Sequence, residues 1–361
     1  MTERERFLRT MRYEPVDRRP LHLVGPWPDT LARWHREGLP EGWDATTLHG
    51  QHGLHPLRLW NVSGDHGPWP RFETRVLDED EETRVYVDEY GRTVRDLKQH
   101  STLPEWQSFP VTDRNSLARV LEERYSLEHL DARFGEAWEQ RVAEANASED
   151  LIVADGGCFY WTLRSLAGVA GASYLLYDAP DLVDELCERY CAIALESLRR
   201  ALSRVRVDVI GFGEDIGYKT STLISPAMFR RFIAPRYRRA MDLARAHGVE
   251  ATWYDSDGDL RPFIGDYLDL GIRCLAPCEV AAGMSPSELR PRYGRALQFV
   301  GGLDKRAIAQ GPSAIDAEIA RNRPVIVEGG YVPAIDHSVS ADISLDCYRH
   351  FLDRVPGMLA V

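Results

Sequence analysis

Long apolar segments are missing from this sequence of 361 residues, and no run approaches the roughly 20 apolar residues that span a bilayer. The first residues, MTERERFLRT, are charged and contain no apolar core of the kind that a secretory signal has. Cysteine is scarce too. The chain has six cysteines, and no two of them form a Cys-x-x-Cys pair. We therefore expect a cytoplasmic protein with reduced thiols and no membrane partner.

An excess of basic residues is also missing. Lys and Arg number 44 against 56 Asp and Glu, which gives a formal net charge of −12. A chain with a net negative charge is repelled by phosphate backbones and by anionic lipid, so we expect no nucleic-acid partner. Hydrophobic residues make up 44% and charged residues 28%, which suits a folded chain with a sizeable core.

Short apolar runs alternate with segments of helical periodicity from residue 151 onward. Runs without polar alternation are typical of parallel strands buried on both faces. No Gly-x-Gly-x-x-Gly follows the first predicted strand, which argues against an open dinucleotide-binding sheet. We predict a single (β/α)8 barrel of the TIM type over residues 1–361. Its strands are predicted in LHLV (21–24), HPLRLW (55–60), LIVADGG (151–157), DVIGFGED (208–215), EATWYDSDGD (250–259), IRCLAPCE (272–279), LQFVGGLD (297–304) and PVIVEGGY (324–331).

Two segments depart from this alternation. The first residues, up to Pro15, have helical spacing and predict a short N-terminal helix. Residues 71–97 alternate polar and apolar side chains around the turn sequences DED and EYG, which predicts a small accessory antiparallel meander outside the barrel.

Carboxylates are concentrated where the predicted strands end, which is where barrels of this type carry their reactive groups. Asp255 and Asp257 are two residues apart and therefore face the same side of a strand. Such a pair can hold a divalent cation, share a proton as an acid–base pair, or bind a cationic substrate. The alternative is that they are turn residues before the next helix, because Ser-Asp-Gly-Asp is also a good turn sequence.

Other polar residues near strand ends are open to two interpretations. Glu214 and Asp215 are coupled to Lys219 across the loop GEDIGYKTSTLISP, either as substrate contacts or as a salt-bridged loop. His337 follows a predicted strand beside Asp336, and an imidazole there can transfer protons, bind a metal or make a structural hydrogen bond.

The chain resembles the uroporphyrinogen decarboxylase superfamily. The resemblance rests on RERFLRTMRYEPVDRRP at the start, followed in order by the segment that begins GEDIGYKTSTLISP and by DSDGDL, PCEVAAGM, FVGGLDKRAIAQGP and EGGYVPAIDHSV. It implies one (β/α)8 barrel with its site at the strand C-terminal ends. The superfamily also contains zinc-dependent methyltransferases that work with corrinoid proteins and thiols, and its members are often dimers.

The sequence departs from both branches of that superfamily at the residues that carry their chemistry. The stretch LVGPWPDTLARW stands where the decarboxylase has an arginine-rich loop for substrate carboxylates. The His-x-Cys zinc pair of the methyltransferases is replaced by Asp255-x-Asp257, and no Cys stands near Asp336. Carboxylates favour harder ions than a thiolate site does, so a hard ion or no metal is more consistent with this pair.

We therefore expect a decarboxylase or related lyase that acts on a small organic molecule outside haem synthesis. The alternatives are a methyltransferase or demethylase with a corrinoid partner, and a non-catalytic ligand-binding barrel. We expect no certain cofactor, although a divalent metal is an option, and we expect a homodimer. The candidate catalytic residues, which are also the metal ligands if a metal binds, are Asp255, Asp257 and His337; the candidate substrate contacts are Arg164, Glu214, Asp215, Lys219, Glu279, Asp304, Tyr331 and Asp336.

Overall fold

The computed structural model describes residues 1–98 and 103–361. Their strands are β1 (Leu59–Asn61), β2 (Arg75–Glu79), β3 (Thr83–Val87), β4 (Thr93–Leu97), β5 (Glu105–Ser108), β6 (Leu151–Asp155), β7 (Val209–Gly213), β8 (Gly217–Tyr218), β9 (Ser221–Thr222), β10 (Ala251–Asp255), β11 (Cys274–Ala276), β12 (Gln298–Leu303) and β13 (Tyr331–Ile335). Their α-helices are α1 (Glu3–Met11), α2 (Pro28–Arg36), α3 (Ala45–Gln51), α4 (Arg114–Arg124), α5 (Glu136–Ala147), α6 (Phe159–Asp178), α7 (Pro180–Arg204), α8 (Pro226–Met228), α9 (Ala234–Ala246), α10 (Ile264–Leu270), α11 (Pro286–Tyr293), α12 (Lys305–Ala309), α13 (Pro312–Glu328) and α14 (Leu345–Leu359).

Seven strands form one curled parallel sheet in the order β1-β6-β7-β10-β11-β12-β13. Helices separate successive strands from β6 onward, as a parallel sheet requires. The predicted α/β class and the TIM-type barrel are therefore confirmed. None of the helices in the described ranges is long and apolar enough to cross a membrane.

The place of the eighth strand is taken by an irregular segment. Residues 21–24, predicted as the first strand, form no strand. The Leu57 N–H nevertheless donates to the Leu21 carbonyl at 2.6 Å, and Val339 and Gly25 are joined at 3.1 Å. This segment therefore lies between the residues that precede β1 and those that follow β13.

The strand predicted at residues 324–331 was also wrong. Residues 324–328 belong to the end of α13, and the last strand begins at Tyr331 rather than ending there. Gly329 and Gly330 separate the two elements with φ values of 103° and 63°, which residues with a side chain rarely adopt. The apolar run had been interpreted as a strand because a short run of this kind cannot be distinguished from a buried helix end.

The N-terminal end of the barrel is closed by α1. Phe7 and Met11 pack in a separate apolar cluster with Leu151, Val209 and other residues near the strand starts. The Gln298 side chain also donates to the Met11 carbonyl at 2.6 Å. The predicted N-terminal helix is therefore confirmed, and the opposite end of the barrel is the one where a site can open.

The predicted meander at residues 71–97 is confirmed as a separate antiparallel sheet. It contains β2, β3 and β4, and β5 adds a fourth strand. None of these strands pairs with the barrel sheet.

Candidate active site at the barrel mouth

Two adjoining cavities lie at the C-terminal ends of the strands, and together we call them the mouth cavity. The first, of about 220 Å³, is lined among others by His22, Asp257 and His337. The second, of about 290 Å³, is lined among others by Asp155 and Cys158. Both share Trp253 and Asp255, so these two side chains stand where the cavities meet.

Asp255, the last residue of β10, is the central carboxyl of the mouth cavity. Its side chain is open to the cavity, but the surrounding walls remove much of its hydration. This desolvation, together with the nearby Asp257 carboxylate, raises the pKa of Asp255 to about 6. Asp255 therefore exchanges protons close to neutral pH, as a general acid or base requires.

Asp257 and His337 form an ion pair, with 3.6 Å between Asp257 Oδ2 and His337 Nε2. The interaction with Asp257 raises the pKa of His337 above its ordinary value. His337 also stacks on Trp27, with ring centroids 6.3 Å apart. The structure thus brings all three predicted catalytic residues to the same cavity.

The loop that carries Asp257 is held from two sides. Glu279 accepts a hydrogen bond from the Gly258 N–H at 3.1 Å. From the other side, the β8–β9 hairpin lies so close that a Cβ added to Gly217 would stand 2.5 Å from the Asp257 carbonyl. Glu279 therefore positions the loop that carries Asp257.

Arg164 and Asp215 pair at the side of the mouth, with 3.1 Å between Arg164 Nη2 and Asp215 Oδ2. Arg164 also lies over the Trp161 ring, 4.6 Å from its centroid. Lys219, by contrast, is exposed in the turn of the β8–β9 hairpin and pairs with no carboxylate among the described residues. The predicted contact between Lys219 and the acidic pair Glu214–Asp215 is therefore absent from the described part of the chain.

Glu214 is enclosed rather than open to the mouth. Its oxygens accept hydrogen bonds from the Phe159 N–H at 2.7 Å, the Trp161 N–H at 2.9 Å and the Tyr237 hydroxyl at 2.6 Å. Burial raises the pKa of Glu214 to about 7 in spite of these donors. Through these hydrogen bonds Glu214 links the first turn of α6 to Tyr237 of α9.

Three further predicted contacts also make internal hydrogen bonds. Asp336 is fully buried and accepts from the Val280 and Lys305 N–H groups at 2.8 and 2.9 Å. Asp304 caps α12 and pairs with Arg306 at 2.7 Å. Tyr331 is fully buried at the start of β13, and its hydroxyl donates to the Gly301 carbonyl at 2.9 Å.

The mouth residues do not form a ready metal site. No group of three or more His, Cys, Asp or Glu side chains in residues 1–98 and 103–361 is arranged to hold an ion. Asp255, Asp257 and His337 share a cavity, yet their donor atoms do not converge on one point in that way. We therefore derive no chemical step through a metal.

His22 is a mouth residue that sequence reasoning missed. It lines the smaller cavity and packs edge-on against Trp253, with ring centroids 5.5 Å apart. Desolvation lowers the pKa of His22 to about 4, so the imidazole is neutral. The signal available in the sequence was a lone histidine in LHLV, which was interpreted as part of a strand.

The thiol of Cys158 lines the larger cavity of the mouth but is not activated. Desolvation and the nearby Glu214 and Asp155 carboxylates raise the pKa of this thiol well above its ordinary value. A nucleophilic cysteine requires the opposite shift.

A recess of about 770 Å³ lies at the opposite end of the barrel. Its Arg4 and Arg206 both pair with Asp208, at 2.7 and 3.1 Å. Because the candidate catalytic carboxyls Asp255 and Asp257 line the cavity at the other end, we do not assign the active site to this recess.

Comparison with known proteins agrees with this architecture. Residues 142–357 match the family model described as uroporphyrinogen decarboxylase. A methyltransferase from Methanosarcina mazei has a similar fold, with a TM-score of 0.58 and 17% identity over 98% of this chain and 97% of that one. A B12-independent methionine synthase from Shewanella sp. W3-18-1 matches with a TM-score of 0.39 and 11% identity over 94% and 96%. No curated protein sequence matches the chain.

Proposed function

Because the chain belongs to the uroporphyrinogen decarboxylase family, whose members are enzymes, we propose that it is a decarboxylase or related lyase acting on a small organic molecule. One observation carries the proposal. Asp255 lies in the mouth cavity with a pKa of about 6, so at neutral pH a fraction of the molecules hold a proton there.

The chemistry assigned to Asp255 is proton donation to carbon. In a decarboxylation the bond from the substrate carbon to its carboxylate breaks, carbon dioxide leaves, and the electron pair stays on the carbon. The protonated Asp255 then supplies a proton to that carbon and is reprotonated from solvent. A positioned acid of this kind contributes about 10²- to 10⁴-fold to a rate.

His337 and Asp257 are assigned to the charge balance of the site. Asp257 favours the protonated imidazole, and the resulting cation lowers the pKa of Asp255 less than desolvation raises it. In its protonated form His337 faces the cavity in which substrate would lie, where it can hold an anionic substrate group. Arg164 pairs with Asp215 and lies outside the residues that line the mouth cavity, so we assign it no substrate contact.

Methyl transfer is the second candidate, because the structural neighbour from Methanosarcina mazei is a methyltransferase. Asp255 would then protonate the heteroatom that loses its methyl group. The two candidates share the acid but differ in product, because one releases carbon dioxide and the other methylates an acceptor such as a corrinoid protein.

The test is a screen of aromatic and heteroaromatic carboxylic acids in deuterated water. We expect carbon dioxide release with deuterium incorporated at the vacated carbon. Asp255→Asn should lower turnover about 10²-fold or more. Asp346→Asn is the matched control, because that side chain is 96% exposed on α14.

Three results would contradict this assignment. Full activity of Asp255→Asn would show that another group donates the proton. Methyl transfer to cobalamin without carbon dioxide release would favour the second candidate. Binding of these acids without any turnover would favour a non-catalytic barrel.

A further inference from the structure

The recess at the N-terminal end of the barrel, which we call the basic recess, holds more guanidinium groups than carboxylates. Two carboxylates, Asp208 and Glu250, line it together with six arginines, which are Arg4, Arg12, Arg206, Arg245, Arg273 and Arg295. The chain as a whole has a net charge of −12, so this excess of positive charge is local. A concave surface lined by charge of one sign raises the local concentration of oppositely charged ligands.

The arginine side chains of the basic recess are open to solvent. Arg206, Arg245 and Arg295 are 46%, 46% and 64% exposed. Arg12 and Arg273 are exposed as well. A ligand that enters the recess can therefore contact these side chains without a rearrangement of the fold.

Two of the arginines are held in place by one buried carboxylate. Asp208, whose side chain is 3% exposed, pairs with Arg4 at 2.7 Å and with Arg206 at 3.1 Å. It also accepts a hydrogen bond from the Ile152 N–H of β6 at 3.0 Å, which fixes its position. One negative charge does not neutralise two positive ones, so this cluster keeps an excess of positive charge in an ordered arrangement.

The other arginines are only partly neutralised. Arg245 lies 3.8 Å from Asp242, and Arg295 pairs with Glu328 at 3.1 Å, but neither carboxylate lines the recess. Even when these two carboxylates are included, six arginines face four carboxylates. Arg273 pairs with no carboxylate within residues 1–98 and 103–361. The basic recess therefore has a net positive charge.

These positive charges are spread across the basic recess. Arg206 precedes β7 and Arg273 directly precedes β11, and β10 lies between these two strands. Neighbouring strands are about 4.8 Å apart, so the two main-chain positions are separated by roughly 10 Å. Arg12 adds a further charge at the end of α1. An ion with one centre cannot pair with all of these groups at once, whereas a molecule with several anionic groups can.

We propose that the basic recess binds a small polyanion, a molecule that carries several phosphate or carboxylate groups. The recess volume of about 770 Å³ lies within the range of about 300–1,000 Å³ that is typical of small-molecule sites. Phosphate and carboxylate groups accept paired hydrogen bonds from the planar guanidinium group. The proposal does not rest on the proposed function, because the recess and Asp255 are at opposite ends of the barrel.

Calorimetric titration of the whole protein with tripolyphosphate, citrate and inorganic phosphate tests the proposal. The buffer contains about 0.15 M sodium chloride, so that the charges of distant surface groups are screened. We expect one site per chain for tripolyphosphate or citrate, and binding of inorganic phosphate at least ten-fold weaker because it has a single anionic centre. Stronger binding of tripolyphosphate assigns the recess to a phosphate chain, and stronger binding of citrate assigns it to a polycarboxylate.

Arg273→Gln should weaken binding of the stronger probe about ten-fold, since it removes one charged hydrogen-bond donor. The variant should fold normally, because the side chain is exposed and forms no ion pair in the described part of the chain. Arg119→Gln is the matched control. Arg119 is exposed on α4, also has no carboxylate partner among the described residues, and does not line the recess.

Glu250→Gln should act in the opposite direction and tighten binding of the same probe several-fold, because it removes a repelling charge from the recess. Glu122→Gln is its matched control, since Glu122 is an exposed carboxylate of α4 outside the recess. An equal gain in both variants would show a response to the net charge of the chain and would contradict the proposal.

The proposal also fails if neither tripolyphosphate nor citrate binds, if inorganic phosphate binds as tightly as they do, or if Arg273→Gln binds them as the unaltered protein does. Asp255→Asn should leave probe binding unchanged, because Asp255 lines the mouth cavity at the other end of the barrel. Weaker probe binding in Asp255→Asn would indicate that the probe occupies the mouth cavity and would overturn the assignment to the basic recess.

Discussion

Asp255 and Glu214 both have raised pKa values, about 6 and about 7, but their surroundings assign them different roles. Glu214 is sealed between α6 and α9 with its oxygens occupied, so its proton is not available to a ligand. Asp255 faces a cavity large enough for a small molecule. A raised pKa indicates a catalytic group only where the group can also be reached.

The raised pKa of Asp255 predicts a pH-dependent effect on stability. The folded state holds this proton more tightly than the unfolded state, whose value is near 3.8. The stabilising contribution is therefore complete below pH 4 and is lost as the pH rises through 6. Asp255→Asn removes the charge, so we expect it to be more stable than the unaltered protein at pH 8, by on the order of 1 kcal/mol after screening by solvent.

Thermal melting of both proteins at pH 4 and pH 8 measures this difference. The melting temperatures should coincide at pH 4 and separate at pH 8. A variant that is less stable at pH 8 would show that the Asp255 carboxylate stabilises the fold, and its pKa would then be lowered rather than raised.

The oxygen donors of the mouth carboxylates lead to a prediction about metal content. Asp255 and Asp257 supply oxygen ligands, which favour magnesium, calcium or manganese over a thiolate-type zinc site. We expect the purified protein to lose zinc on dialysis against a chelator. Elemental analysis that finds one zinc per chain after this treatment would contradict the expectation.

At the scale of elements, the loop after β10 positions the candidate catalytic residues. Asp255 ends the strand, Asp257 points into the mouth cavity, and Asp259 turns back to bind Arg261 at 2.7 Å. The Asp259 carboxylate also accepts from the Arg261 N–H at 3.0 Å and so closes the first turn of the following helical segment. Of these three carboxyls, Asp255 is the proposed acid, Asp257 pairs with His337, and Asp259 closes a turn.

Asp259→Asn is therefore predicted to reduce stability and not chemistry. The side chain is 6% exposed, and the change removes its charge from the Arg261 pair while leaving one oxygen as an acceptor. We expect a loss of about 1 kcal/mol in the free energy of unfolding. Urea denaturation measures it, and the proposed turnover should stay close to that of the unaltered protein.

The opposite results would exchange the roles assigned to Asp255 and Asp259. If Asp259→Asn abolished turnover with an unchanged unfolding curve, Asp259 would belong to the reactive group. If Asp255→Asn unfolded the protein, Asp255 would be a turn residue.

The sequence predicted the positions of the strand ends more accurately than the contacts of the residues at those ends. The strands predicted to end at Asp155, Asp215, Asp257, Glu279 and Asp304 are parallel neighbours, although β10 ends earlier than predicted, at Asp255. The roles of Glu214 and Asp336 could not be predicted, because their hydrogen-bond partners Tyr237 and Val280 come from other elements. The strand assigned to 324–331 failed because two glycines, rather than the apolar run, mark the boundary between α13 and β13.

At the scale of the whole molecule, the exposed apolar residues of α6 suggest how two copies would associate. Val169, Tyr174 and Tyr177 are 46%, 69% and 75% exposed. Large exposed apolar side chains on one element are typical of association surfaces. We retain the prediction of a homodimer, now with the outer end of α6 as its proposed interface.

Light scattering over micromolar concentrations tests the homodimer. The expected mass is twice 41.0 kDa, the mass of one chain. Tyr174→Asp combined with Tyr177→Asp should shift it toward a single chain. A single-chain mass for the unaltered protein at all concentrations would refute the prediction.

The irregular segment that replaces the eighth strand has a consequence for amide hydrogen exchange. A complete ring of paired strands protects every main-chain N–H of the barrel, whereas residues 21–26 are joined to their neighbours by isolated bonds such as Leu57 to Leu21 and Val339 to Gly25. Sparse pairing favours local opening. The N–H groups of Leu57 and Val339 should therefore exchange with deuterium before those of β7 and β10, and the wall that carries His22 should open first.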